Sequence, residues 1–367
     1  MVCDVAALAT AGVRGLQPYQ PGKPIAELER EYGVRDIIKL ASNESPLGPS
    51  PQALAAARAA LDDIYRYPDG NGFELKIRIA RRYGVEPAQI TLGNGSNDVL
   101  ECVARAFVTA ENEVVFSEHA FAVYPIVTCA VGARAVVTPA VDWGHDLAQM
   151  RAAITPRTRL VFIANPNNPT GTWLRRVALE EFLAEVPDHV LVVVDEAYFE
   201  YVQEPDYPNA MGWLERFPNL IVTRTFSKAF GLAGLRVGYG VSSIAVADML
   251  NRVRQPFNVN SVALAAASAA SEDEAHLKRA IDANHAGMNQ LVHGVRRLGL
   301  AFIPSVGNFL CVDLRRPAAS AYEALLRQGV IVRPVANYGM PNHLRVTVGL
   351  PEENERFLKA LAHVSGS

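Results

Sequence analysis

Thr225, Ser227, Lys228 and Arg236 are the side chains in this sequence best placed to do chemistry together. They lie in Thr223-Arg-Thr-Phe-Ser-Lys-Ala-Phe-Gly-Leu-Ala-Gly-Leu-Arg-Val-Gly-Tyr239, after an apolar run, Leu220-Ile-Val-Thr223, that reads as a buried strand. A lysine among small polar groups at a strand end is placed to be desolvated and to act as a nucleophilic amine. Hydroxyls and an arginine close by supply donors and positive charge to a phosphate. The plainer reading is a lysine on a solvated loop, beside glycines (Gly231, Gly234, Gly238) that turn the chain. The rest of the sequence decides between the two.

A second candidate is Gly93-Asn-Gly-Ser-Asn97, between Ile90-Thr-Leu92 and the helically spaced Val99, Leu100, Val103, Ala104 and Phe107. A strand, a glycine turn and a helix aim free N–H groups and a helix N-terminus at an anion. Gly95, Ser96 and Asn97 would form that cradle. A dinucleotide fingerprint would want a third glycine where Asp98 stands, although Glu118 lies about where a ribose-binding acid would. Tyr65-Arg-Tyr-Pro-Asp-Gly-Asn-Gly72 is a loop rich in turn formers. Its two tyrosines beside an arginine suit a binding surface as well as they suit ordinary loop packing.

These residues need elements to position them. Glu113-Val-Val-Phe116, Ala135-Val-Val-Thr138, Leu160-Val-Phe-Ile-Ala164, Val190-Leu-Val-Val-Val194 and Leu220-Ile-Val-Thr223 are short β-branched runs. Helical patterns such as Val177 to Val186 separate several of them. The alternation predicts an α/β chain with a mostly parallel sheet covered by helices on both faces. Ligands in such sheets sit at the carboxyl ends of the strands. Three of those ends are polar: Asn165-Pro-Asn-Asn-Pro-Thr-Gly171, Asp195-Glu-Ala-Tyr198 and Thr225-Phe-Ser-Lys228. Together with the glycine turn they make a site.

Residues 1–35 read as an N-terminal arm on the side of a smaller domain. Val13 to Pro24 holds three prolines and two glycines, too many for regular structure, before a short helical pattern from Pro24 to Tyr32. Residues 36–255 form the large domain, with a short strand at Ile37-Ile-Lys-Leu40 and an alanine-rich helix from Gln52 to Leu61. Residues 256–367 form the smaller α+β domain. There, helices over Ser261–Ala270 and His276–Leu298 precede strand-length runs at Phe309–Asp313, Val330–Arg333 and His343–Val348. A helix near Tyr322–Gln328 lies among those runs, and another from Glu352 to His363 closes the chain.

Composition narrows the function. The 367 residues are 50% hydrophobic and 20% charged, enough for a sizeable core. A net charge of -3 argues against nucleic acid, which needs a basic face. Cys3, Cys102, Cys129 and Cys311 have neither metal nor redox spacing and read as reduced, buried thiols. The eight histidines form no metal-binding pair with an acidic helper, so no metal is expected. No charged-then-apolar leader and no run of about 18 apolar residues is visible, so the expectation is a soluble cytoplasmic protein.

A phosphate cradle, a nucleophilic lysine and an aspartate after a buried strand fit pyridoxal phosphate. That cofactor is held as a Schiff base on lysine, with an acid on its ring nitrogen. Asp195 suits the acid, Tyr198 and Asn168 the ring's phenolic oxygen, and a freed Lys228 amine could shuttle a proton.

Asn165-Pro-x-Asn-Pro-Thr-Gly171, Asp195-x-x-Tyr198 and Ser227-Lys228 with Arg236 together resemble the fold-type I pyridoxal-phosphate aminotransferases over essentially the whole chain. The resemblance is nearest to their histidinol-phosphate branch. It runs through Pro18-Tyr-Gln-Pro-Gly22, Leu40-Ala-Ser-Asn-Glu44, Tyr65-Arg-Tyr-Pro-Asp69, Thr225 to Arg236 and His343-Leu-Arg-Val346. It implies Lys228 as the Schiff-base lysine, Asp195 on the pyridinium nitrogen, and Asn168 and Tyr198 on the phenolic oxygen. It likewise implies Gly95, Ser96 and Asn97 as the phosphate turn, with Thr225, Ser227 and Arg236 as side-chain ligands. Phe121, in His119-Ala-Phe-Ala-Val-Tyr124, falls where the family stacks an aromatic ring on the cofactor. Tyr124 is the near alternative, and either could be helix packing instead. Tyr65 resembles the tyrosine that reaches the partner subunit's cofactor phosphate, which implies a homodimer with shared active sites.

Arg345 resembles the arginine that binds the substrate's anionic group. Histidinol phosphate has no α-carboxylate, so this guanidinium would accept a phosphate in one half-reaction and glutamate's carboxylate in the other. Arg333 could help with the dianion, and Tyr19 on the arm could close as a lid. The reaction implied is amino transfer between L-histidinol phosphate and 2-oxoglutarate in histidine biosynthesis. A phenylalanine or tyrosine aminotransferase is the alternative, and a phosphothreonine decarboxylase on this fold a further one. A cofactor-binding regulator would need a helix-turn-helix, for which residues 1–35 are too short and too rich in proline. A nicotinamide oxidoreductase would leave Lys228, Asp195 and the Asn-Pro motif unexplained.

Overall fold

Along the strand Thr158–Ala164, Val161 and Ile163 enter one apolar core while Leu160 and Phe162 enter another, and all four are wholly buried. A strand of this kind needs cover on both faces. In the computed structural model, which describes residues 3–365, it lies within a seven-stranded sheet. The order across the sheet is Ile90–Gly93, Gly238–Ser242, Leu220–Thr225, Leu191–Asp195, Thr158–Ala164, Glu113–Ser117 and Arg134–Thr138. Leu75, Ile79, Leu179 and Phe182 cover one face from their helices, and Leu100, Val103 and Leu250 the other. The chain is therefore α/β with a mostly parallel sheet between helices, as expected.

One strand runs against the rest. Gly238–Ser242 pairs antiparallel with both Ile90–Gly93 and Leu220–Thr225. Its sequence, Gly-Tyr-Gly-Val-Ser, lacks the β-branched signal and went unpredicted. Space explains the glycine: a Cβ on Gly238 would stand 2.4 Å from the Ser96 nitrogen. The strand can pass beneath the start of the helix Ser96–Phe107 only without a side chain there. A two-stranded hairpin, Ala140–Val141 with Gly144–His145, was also unforeseen.

A second sheet of four antiparallel strands, Ala301–Ile303, Phe309–Asp313, His343–Thr347 and Arg333–Pro334, stands beside the first. Its core holds Leu291, Val295, Leu310, Val312, Leu325, Leu344, Phe357 and Leu361. The expected strand Val330–Arg333 is split: Val330–Ile331 pairs with Ile38–Lys39, and Arg333–Pro334 with the His343 strand.

The apolar cores do not divide at residues 255 and 256. Ala263, Ala266, Ala267 and Ala270 of the helix Ser261–Ala270, and Leu277 of the next, belong with the large sheet. Leu40, placed by sequence in the large domain, packs into the second core. The helix Glu274–Arg297 spans both, from Leu277 to Leu291 and Val295. Alanine-rich composition marks a helix but not the core that receives it.

The arm is irregular through its proline-rich part, with single helical turns at Val5–Leu8 and Ala11–Arg14 and a helix at Ile25–Tyr32. All four cysteines are free; Cys102 and Cys311 are buried, Cys129 is partly covered, and Cys3 is exposed, against the expectation of buried thiols. No helix among the described residues is long and apolar enough to cross a membrane.

Beneath the carboxyl ends of the strands lies a fully buried ion pair. Arg224 donates from Nε and Nη2 to Glu196 Oε2 at 2.9 and 2.6 Å, and from Nη2 to Asn209 Oδ1 at 2.7 Å. Its guanidinium lies between the rings of Phe199 and Tyr83. Removing one partner of such a pair leaves an uncompensated buried charge. Arg224→Leu should therefore cost about 3–5 kcal/mol in urea unfolding, and adding Glu196→Leu should recover most of that loss.

Candidate active site

Register brings the site together. Asp195 pairs with Ala164 on one side and Thr223 on the other, and Thr225 pairs with Gly238. Along Leu220–Thr225 the alternation of a strand sends Arg224 to the buried pair and leaves Thr223 and Thr225 on the opposite side. There Thr225 borders a cavity of about 270 Å³, while Thr223 lies behind it against Asp195. Ser96, Asn97, Phe121, Asn168, Asp195, Tyr198, Thr225, Ser227, Lys228 and Arg236 line it from the large sheet's side. Arg333 and Arg345 reach it from the second sheet and Tyr19 from the arm.

One end is built for an anion. Gly95 adopts φ +84°, and a Cβ there would stand 2.6 Å from Arg236 Nη2, so the guanidinium lies directly on the turn. The first N–H groups of the helix Ser96–Phe107 have no intrahelical acceptor and point the same way. Arg236 Nη1 donates to Ala233 O at 3.0 Å and to Ser227 Oγ at 3.5 Å. Among the described residues this guanidinium has no carboxylate partner. Thr225 Oγ1 accepts from the Ser227 nitrogen at 3.1 Å, which folds both hydroxyls toward the same end.

The reactive centre follows. Lys228 Nζ donates to Ser42 O at 3.2 Å and stands 5.5 Å from the Tyr198 ring centre. Burial, with the positive charges of Arg345 and Arg236, holds its amine down at about 7. Asp195 is buried at the cavity floor; Tyr124 donates to its Oδ2 at 2.9 Å and Thr223 to its Oδ1 at 3.0 Å. Burial pushes this carboxyl up, while those two donors, the Ala197 N–H and Lys228 pull it back. The Tyr198 hydroxyl accepts from Asn43 Nδ2 at 2.9 Å, and burial pushes it up to about 12, so it keeps its proton.

The far end is cationic. Arg333 and Arg345 sit directly opposite each other on neighbouring strands, both more than nine-tenths buried. Arg345 donates to Asn168 Oδ1 at 2.5 Å and to Ala41 O at 2.7 Å, and its Nε has no partner. The Arg333 guanidinium lies 5.4 Å from the half-exposed Tyr19 ring.

Two residues are placed differently from the rest of the expected set. Tyr65 is exposed, stacked under Arg66 and away from the cavity of its own chain. Tyr124 lies behind the cavity wall, wholly buried, with its hydroxyl on Asp195. Phe121 faces the cavity, and Tyr124 meets that ring edge-on at 6.0 Å. Sequence reasoning gave no role to Ala41, Ser42 and Asn43, which contact Arg345, Lys228 and Tyr198 in turn. Two of those contacts use backbone carbonyls and leave no trace in residue type. Asn43 left one signal, a polar residue inside Leu40-Ala-Ser-Asn-Glu44, without a partner to suggest its use. Among the described residues no group of three or more His, Cys, Asp or Glu side chains is placed to hold a metal.

Residues 35–361 match the family described as aminotransferase class I and II. The chain is 64% identical over 360 residues to histidinol-phosphate aminotransferase 2 of Pseudomonas fluorescens, covering 98% of this chain and 97% of that one. It is 60% identical over 367 residues to histidinol-phosphate aminotransferase 2 of Methylococcus capsulatus, covering 98% and 99%. Among solved structures, it is similar to histidinol-phosphate aminotransferase from Sinorhizobium meliloti in complex with pyridoxal-5'-phosphate. That likeness has a TM-score of 0.90, with 31% identity over 98% of this chain and 97% of that one.

The lowered amine has a measurable consequence. Only the neutral amine attacks a carbonyl, and the neutral fraction of Lys228 grows as pH rises through about 7. Reductive methylation with formaldehyde, followed peptide by peptide, should rise about tenfold per pH unit below that value and level off above it. An ordinary lysine would go on gaining to about pH 10.

Proposed function

Because the chain belongs to the class I and II aminotransferases, we propose that it moves an amino group between L-histidinol phosphate and 2-oxoglutarate, with pyridoxal phosphate as cofactor. The observation that carries this reading is the facing pair Arg333 and Arg345. Like charges directly opposite on neighbouring strands repel, and here both are buried at a cavity wall. A doubly charged phosphate is the ligand that offsets such a pair, since guanidinium groups fork to its oxygens. Arg345 would serve the carboxylate of glutamate in the other half-reaction.

The residues present fit the cofactor. Asp195 is the one acid in the cavity lining among the described residues, and the Arg236 end offers hydroxyls, helix N–H groups and an unneutralised cation. Lys228 Nζ would hold the cofactor, Asp195 its ring nitrogen, Tyr198 and Asn168 its phenolic oxygen, and Phe121 its ring face. Gly95, Ser96, Asn97, Thr225, Ser227 and Arg236 would hold its phosphate. Pyridoxal phosphate supplies an aldehyde for the amine and a protonated ring that withdraws electrons from the substrate carbon. Once the substrate's amine displaces it, Lys228 Nζ, neutral above about pH 7, would serve as general base for the proton on that carbon. Asn43 keeps the Tyr198 hydroxyl in place by donating to it. Tyr19, over Arg333, would close the cavity against water.

The reading includes a cytoplasmic homodimer in which Tyr65 reaches the partner's site. Leu61, Ile64, Tyr65, Tyr67, Phe73 and Phe257 are exposed, and Tyr67 stacks on Phe257 at 4.7 Å, so these side chains form an apolar patch that a second copy would cover. Sedimentation of the purified chain at micromolar concentration should give twice the chain mass, and a monomer would rule this part out.

The test of the activity is optical. With cofactor bound, L-histidinol phosphate should discharge the visible absorption band at least tenfold faster than equal L-phenylalanine; the reverse order would make this an aromatic aminotransferase. Lys228→Ala should lose turnover and keep the fold. Arg345→Ala should weaken both anionic substrates by about 1.5–3 kcal/mol, roughly 10- to 150-fold. Loss toward only one of them would show that the two anions do not share that arginine.

A further inference from the structure

Tyr124 has no part in the cofactor-holding set above, yet it touches two members of it. Its hydroxyl donates to Asp195 Oδ2 at 2.9 Å, and its ring meets Phe121 edge-on at 6.0 Å. The residue is wholly buried, and Phe162 stacks on it at 4.6 Å with the planes 4° apart, so the phenol cannot swing away. The Thr128 hydroxyl donates to Tyr124 O at 2.7 Å and pins the turn of the helix Val123–Ala130 that carries it.

We propose that Tyr124 is a positioning residue: it holds Asp195 as an ionised acceptor aimed at the cofactor's ring nitrogen and sets the Phe121 ring beside it. This rests on the reading of Asp195 given above. A carboxylate has about four lone-pair sites. Tyr124 and Thr223 occupy one on each oxygen and the Ala197 N–H takes a further one, which fixes the plane of the group at the cavity wall. Burial alone would favour the neutral acid, which could not hold the ring nitrogen in its protonated form. Donated hydrogen bonds favour the charged form, and Tyr124 stays a donor because burial beside Asp195 pushes its own hydroxyl well above the ordinary range.

The test compares two ligands of one shape. The full chain, stripped of cofactor, is titrated with pyridoxal phosphate and with its carbocyclic analogue, in which C–H replaces the ring nitrogen. Wild type should prefer pyridoxal phosphate. Tyr124→Phe keeps the ring, its stack on Phe162 and its edge on Phe121, and removes only the donor. It should weaken pyridoxal phosphate about tenfold, the effect of one charge-assisted hydrogen bond, and leave the analogue within about twofold. Equal losses for both ligands would make Tyr124 a packing residue and overturn the proposal, as would no loss for either. Phe162→Leu frees the phenol without removing it and should show the same selective loss in milder form. It carries the comparison if Tyr124→Phe does not fold, and equal losses there also overturn the proposal. Wild type that binds both ligands alike would overturn the reading of Asp195 itself, and this proposal with it.

Discussion

An imbalance of charge governs this molecule. Lys228, Arg236, Arg333 and Arg345 share a cavity of about 270 Å³ with a single carboxylate, Asp195. In a weakly polar interior such crowding is costly, and each group answers it differently. Lys228 gives up its proton near neutrality, Arg345 leans on the Asn168 amide and a backbone carbonyl, and Arg236 leans on Ser227 and Ala233. What remains is a cavity that favours anions at both ends and a free amine between them. The proposed cofactor and substrate are ligands of that kind.

Such a cavity needs rigid walls. The large sheet supplies one through backbone register, which sets Ala164, Asp195 and Thr223 side by side. The Arg224–Glu196 pair ties two of these three strand ends, those of Asp195 and Thr223, from the other face. The antiparallel sheet supplies the opposite wall and places Arg333 against Arg345. The long helix Glu274–Arg297 enters both cores, so the walls are connected through packed side chains as well as through the chain. Tyr124 extends this logic inward, from the helix layer to the carboxylate.

Sequence exposed much of this because buried parallel strands are written as continuous apolar runs. Their polar ends at Asn165, Asp195 and Thr225 therefore stood out, and those ends do converge. It missed Gly238–Ser242, whose Gly238 answers to the space beneath Ser96 and Gly240 to that beneath Val99, and not to β propensity. Its bounds at residues 255 and 256 do not coincide with the border between apolar cores, because the alanines of Ser261–Ala270 reveal a helix and nothing of its partner. It left Phe121 and Tyr124 open because residues three apart on one segment look alike in pattern, whereas depth separates them: one faces the cavity and the other lies behind it. The arginine pair was legible as two separate residues; that they face each other is a matter of strand pairing, which a pattern along the chain does not record.

The run Ala41-Ser-Asn43 bears on how this protein tolerates change. Ala41 and Ser42 engage Arg345 and Lys228 through their carbonyl oxygens, and those atoms are present in every amino acid. Side-chain exchange at either position keeps the contact as long as the chain keeps its course. Asn43 alone commits its amide, and with φ +56° it also occupies a backbone region that few side chains accept. A scan of substitutions would thus register Asn43 as sensitive, Ala41 as sensitive to bulk because its methyl is buried with Leu28, Leu326 and Ile331, and Ser42 as permissive. A shift of the backbone by one residue, through insertion or deletion, would displace all three contacts together. At Ser42 the segment is robust to spelling errors, and along its whole length it is fragile to changes of frame.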